Sequence, residues 1–96
     1  MIVSFADKTT EDIYHGRDTK AARRLPRALW ERTQNKLDLL NAAVSLQDLR
    51  IPPSNRLEKL RGDLEGFYSI RINDQYRLVF LFEEGNCRDV RCTDYH

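Results

Sequence analysis

Ninety-six residues supply one hydrophobic core, so residues 1–96 are expected to form a single domain. With 41% hydrophobic and 32% charged residues, three Pro and four Gly, the composition excludes a disordered tract and a collagen-like fibre, and no apolar run reaches the ~20 residues of a membrane span. The net charge of +1 becomes informative only by residue type: twelve Arg stand against four Lys, and Arg carries the planar fork that grips phosphate and stacks on bases, a bias that fits nucleic-acid contact or plain surface decoration.

In chain order, Ile2, Val3 and Phe5 read as a short opening strand. Met1 to Phe5 lacks the basic start and apolar stretch of a secretion signal, so the expected address is the cytoplasm. Thr9 with Asp12 three residues on has the form of a capping box for a brief helix that stops at Gly16. Residues 17–25 are polar, basic and weakly patterned, and read as a mobile linker. Pro26 suits the first position of the main helix, where Leu29, Thr33, Leu37, Leu40 and Val44 fall three or four apart on one face with Trp30 beside them. Ser45 and Asp48 suggest a second cap and a short helix through Leu49, ended by Pro52-Pro53.

The second half changes period. Four strand candidates, 56–60, 67–72, 76–82 and 87–93, are joined by short polar links, which predicts antiparallel neighbours. Alternation puts Tyr68, Ile70, Ile72, Leu78, Phe80 and Phe82 on a face suited to a helix-covered core. The other face carries Arg71 and Arg77 on central strands, where it is either an open polar surface or a phosphate site. The expected class is therefore α+β: two to three N-terminal helices packed on a small antiparallel sheet of four to five strands.

Cys87 and Cys92 cannot make a four-ligand thiolate site, and His15 and His96 are distant in sequence; both cysteines read as reduced thiols in a core or on a strand face, with no metal and no cofactor expected. Glycine-rich phosphate loops, nucleophile elbows and dinucleotide fingerprints are missing from the sequence, so nucleotide hydrolysis and redox chemistry drop away. The terminal Thr93-Asp94-Tyr95-His96 packs a carboxylate, a phenol and an imidazole together, groups suited to proton transfer if the last strand holds them still.

At this point the residues carry a resemblance. The string from Asn55 through Arg56-Leu57-Glu58-Lys59-Leu60-Arg61-Gly62-Asp63, then Gly66-Phe67-Tyr68-Ser69-Ile70-Arg71-Ile72-Asn73-Asp74-Gln75-Tyr76-Arg77-Leu78, closed by Asp94-Tyr95-His96, resembles the HigB (host inhibition of growth) branch of the RelE/ParE toxin superfamily. The likeness spans the C-terminal half, and the N-terminal half agrees in helix order and in its Met-Ile-x-Ser-Phe opening. It implies a RelE-like fold of two helices laid on a small antiparallel sheet. It also implies a bacterial ribonuclease that cuts mRNA in the ribosomal A site and is held inactive by a HigA-type helix-turn-helix antitoxin, with operator DNA reached only through that complex.

The chemistry so implied needs no metal, because RNA carries its own nucleophile in the 2′-hydroxyl. By the same resemblance Arg61 and Arg77 fall at the scissile phosphate, and Asp94, Tyr95 and His96 form the terminal active-site cluster. Arg71, Arg56 and Lys59 are the expected further RNA contacts. Some members carry a histidine in the register of Glu58; a carboxylate there would act as the base or merely hold a partner in place. Two other readings remain open, a ParE-like gyrase inhibitor and a non-enzymatic co-repressor of a DNA-binding antitoxin.

Overall fold

The computed structural model describes residues 1–95, which form two α-helices and a four-stranded antiparallel sheet. Helix α1 spans Lys8–Tyr14 and α2 Trp30–Ala42; the strands are β1 Glu58–Lys59, β2 Phe67–Arg71, β3 Tyr76–Glu83 and β4 Asn86–Asp94, in the spatial order β1-β2-β3-β4. The expected α+β arrangement is what folds. The opening residues are less than a full strand: they run parallel to β4 through two isolated bridges, Ile2↔Cys87 and Phe5↔Val90. Asp89 takes a left-handed φ of 52° between those bridges, and its backbone N–H turns to the Ser4 hydroxyl at 2.9 Å.

The alternation read from the sequence sets the two sheet faces. Ile70, Ile72, Leu78 and Phe80 are buried under the helices with Leu37 and Leu40 of α2 and Ile13 of α1. The β3–β4 hairpin closes on Glu84 and Gly85, both at positive φ, as a two-residue turn matched to the strand twist demands. Cys87 is fully buried and Cys92 half-buried; burial pushes their thiols up to about 11 and about 12, so both stay protonated and serve packing.

Three local expectations are corrected. The cap of α1 is Asp7, whose carboxylate accepts from the Thr10 N–H at 2.8 Å, while the Thr9 hydroxyl donates to the Ala21 carbonyl. Pro26 begins a 3₁₀ turn, Arg27–Leu29, ahead of α2, and Val44 lies beyond the helix and is exposed. The helix stops there because the Asp48 carboxylate takes the backbone N–H groups of Val44 and Ser45, the cap expected for the next turn, Leu46–Arg50.

Residues 17–25 form no loose linker. Asp12, fully buried, receives the Thr19 hydroxyl at 2.7 Å, Lys8 at 3.0 Å and Arg17 at 3.3 Å. Ala22 and Leu25 are buried, and the Trp30 indole N–H donates to the Leu25 carbonyl at 2.9 Å. Asp18 further pairs with Arg23 and Arg27. The hydrogen bond from Thr19, with those from Lys8 and Arg17, holds the Asp12 carboxyl below its ordinary 3.8. A carboxylate with a depressed folded-state value stabilises the fold above its unfolded value, and that contribution is lost as the pH falls through the folded one. Asp12→Asn should therefore lower the thermal midpoint at neutral pH, and the gap from wild type should close as melts are taken progressively below pH 3.8.

Candidate active site

The sheet face away from the helices is built by all four strands in register. Glu58 lies opposite Ser69, Ser69 opposite Val79 and Val79 opposite Arg91, while in the neighbouring row Arg71 lies opposite Arg77 and Arg77 opposite Thr93. Two arginines directly across a ladder repel, so each needs a counter-partner. Arg71 pairs with the exposed carboxylate of Asp74. Arg77 is nearly buried and is held from several sides: its Nε donates to the Ser69 hydroxyl at 2.8 Å and its Nη2 to the Arg56 carbonyl at 2.5 Å.

That carbonyl is delivered by a shaped loop. Asn55 is fully buried; its amide donates to the Leu49 and Ile51 carbonyls at 3.2 and 3.3 Å, and its oxygen accepts from Lys36 of α2. Arg56 then adopts a left-handed φ of 46°, which turns the chain into β1. With Nε and Nη2 engaged, the Nη1 edge of Arg77 faces the Glu58 carboxylate at 3.8 Å, a long ion pair with Glu58 half exposed. The Tyr95 ring lies 5.8 Å from the same guanidinium, within cation–π reach.

Arg56, Glu58, Arg71, Asn73, Asp74, Arg77 and Tyr95 together line a cleft of about 260 Å³. Five of the residues singled out from the sequence thus converge: Arg56, Glu58, Arg71, Arg77 and Tyr95. Others do not. Asp94 pairs with Tyr76 across the ladder and lines a second cleft with Asp7, Thr9, Arg24 and Cys92, where its carboxylate accepts from the Gln75 amide at 3.0 Å. Lys59 takes the Tyr68 side of its strand, opposite to Glu58. Arg61 is exposed where the β1–β2 link begins its turn at Gly62, outside the cleft lining. His96 lies outside the described residues. Among the described residues, no cluster of three or more His, Cys, Asp or Glu is arranged to hold a metal ion.

Ser69, Asn55, Asn73 and Asp74 are the residues that sequence reasoning missed. Ser69 was legible in principle, since period two puts it on the face of Arg71 and Arg77. Asn55 gives no such signal: its amide is explained only by the two loop carbonyls that the fold brings to it.

An arginine pinned along one edge with its other edge open beside a carboxylate is equipped to grip a phosphodiester and to move a proton next to it. Solved structures share the fold. YafQ from E. coli superposes with a TM-score of 0.63 at 13% identity, covering 99% of this chain and 92% of that one. The YoeB-YefM complex from Staphylococcus aureus gives 0.61 at 19% identity, covering 100% of this chain and 98% of that one. The fold is thus that of the RelE-like toxins.

Sequence comparison narrows the class. The family model for HigB-like toxins, described as RelE-like toxins of the type II toxin-antitoxin system HigB, matches residues 3–96. Toxin HigB-1 of Vibrio cholerae serotype O1 is 45% identical over 85 residues, 88% of this chain and 87% of that protein. Endoribonuclease HigB of Proteus vulgaris is 27% identical over 96 residues, spanning both chains fully. The chain belongs to the HigB-like toxin family.

Proposed function

We propose that this chain is the toxin of a type II toxin-antitoxin pair and acts in the bacterial cytoplasm as a ribosome-dependent endoribonuclease, cutting mRNA in the A site without a metal. A HigA-type helix-turn-helix antitoxin neutralises it, and the pair reaches operator DNA through that antitoxin. Family membership supports the toxin, and the relative from Proteus vulgaris named as an endoribonuclease supports the reaction. The observation that carries the reading is the Arg77 guanidinium, locked by Ser69 and the Arg56 carbonyl and open toward Glu58 and Tyr95 in one cleft.

The positions of Arg77, Glu58 and Tyr95 support the following division of roles. Arg77 clamps the scissile phosphate and, being already ordered, needs little reorganisation as charge develops there. Glu58 removes the 2′-hydroxyl proton; the freed 2′ oxygen attacks phosphorus, the bond to the 5′ oxygen breaks, and a 2′,3′-cyclic phosphate forms. His96 supplies the proton to the departing 5′ oxygen. Tyr95 offers a face on which a base stacks, Arg71 and Arg56 hold adjoining backbone, and Arg61 and Lys59 contact RNA beyond the cleft. Asp94, on the helix side of the sheet, steadies the tail that carries Tyr95 and His96.

The test is to map RNA ends on translated mRNA after the chain is expressed. Cleavage at codons in the A site is expected, and it should vanish when the nucleotide 5′ to the cut carries a 2′-deoxyribose. Intact mRNA together with DNA breaks would overturn the reading in favour of gyrase poisoning.

A further inference from the structure

A third cleft, of about 370 Å³, lies where α2 meets the end of β2 and is lined by Arg32, Asn35, Lys36, Ser54, Arg71, Ile72 and Asn73. Arg32 and Lys36 stand four apart on one face of α2, a spacing at which like charges repel. None of the described lining residues is acidic. Among the described residues, Arg32 reaches only a carbonyl, that of Ile72 at 3.4 Å, and Lys36 only the Asn55 amide oxygen. Burial and the charge of Arg32 lower the pKa of Lys36, as expected for cations facing each other without a neutralising carboxylate.

This cleft adjoins the one around Arg77. Arg71 and Asn73 line both, so a strand leaving the Arg77 cleft passes Arg71 into this one. We propose that the cleft of Arg32, Lys36 and Arg71 is a second RNA-backbone subsite, holding a phosphate that flanks the scissile one. The inference rests on the nuclease reading above and extends it. Its lining favours a nucleic-acid strand over an acidic peptide: Asn35, Ser54 and Asn73 offer hydrogen bonds to phosphate and ribose, whereas Ile72 is the single apolar contact among the described lining residues and a peptide groove needs several.

The test is a toxin titration of single-turnover cleavage on programmed ribosomes, with mRNAs in which one phosphate near the cut is replaced by a neutral methylphosphonate. Arg32→Gln, and separately Asn35→Asp, which brings a negative charge into the cleft, should raise the half-saturating toxin concentration about three- to fivefold, the scale of an exposed charge contact. The saturating rate should hold. One flanking methylphosphonate should raise the half-saturating concentration similarly for wild type and no further for Arg32→Gln, because both remove the same contact. Unchanged titrations for both variants beside a cleaving wild type would overturn the subsite and leave the nuclease reading standing. Unchanged titrations with weakened binding of an octaglutamate peptide would overturn it in favour of an acidic polypeptide. A wild type that cleaves nothing would remove both readings together.

Discussion

Arg77→Ala is expected to reduce mRNA cleavage by two to three orders of magnitude, because a lost oxyanion-type contact costs ~2.7–4 kcal/mol. The side chain also supports the fold, since its removal leaves the Ser69 hydroxyl and the Arg56 carbonyl without their donor, and a buried group so abandoned costs about 1–3 kcal/mol of stability. Two further variants separate these effects. Arg77→Lys keeps the charge but cannot hold Ser69, Arg56 and phosphate at once, so it should restore cleavage only in part. Arg71→Ala, whose partner Asp74 is exposed, should lose less than Arg77→Ala in both respects. Single-turnover cleavage on programmed ribosomes, read beside thermal melts, checks all three. A folded Arg77→Ala protein that cleaves at the wild-type rate would place the phosphate clamp elsewhere.

The same residue shows why part of the site is legible in the sequence. In a strand, period two decides which side chains share a face, and that rule alone puts Arg71 and Arg77 together and sends Ile70, Leu78 and Phe80 to the core. It also explains what proximity in sequence conceals. Asp94 and Tyr95 are adjacent in the terminal cluster, yet at the end of β4 they take opposite sides: Tyr95 joins Arg77 and Asp94 joins Tyr76. The misread segment at 17–25 failed for another reason. Its order comes from hydrogen bonds with Thr9, Asp12 and Trp30, and partners of that kind leave no periodic trace. Likewise the helical period carried Val44 one turn too far, because the stop signal is the Asp48 carboxylate four residues later.

Glu58→Gln should lower cleavage by about 10²–10⁴-fold, the usual contribution of a general base, while leaving the fold intact. The two halves of that expectation have separate grounds. Glu58 sits on a two-residue edge strand with its side chain half exposed, and its ion pair with Arg77 is long, so the amide replaces it at little structural cost. The carboxylate also faces the Nη1 edge of Arg77 in the cleft, so a phosphate gripped there brings the neighbouring 2′-hydroxyl toward it. Only an unprotonated side chain can take that proton, which an amide cannot. Glu58→His should therefore recover cleavage that Glu58→Gln loses. Because an imidazole has a reference pKa of about 6.5, the recovered rate should rise between about pH 5.5 and 7.5 as its neutral form fills, a rise missing from Glu58→Gln. The measurement is cleavage of a short mRNA on programmed ribosomes for the two variants across that range. If Glu58→Gln cleaves at the wild-type rate at every pH, the base is another group; with Asp94 turned to the helix side, the role passes to His96, and deletion of that one residue would then abolish cleavage.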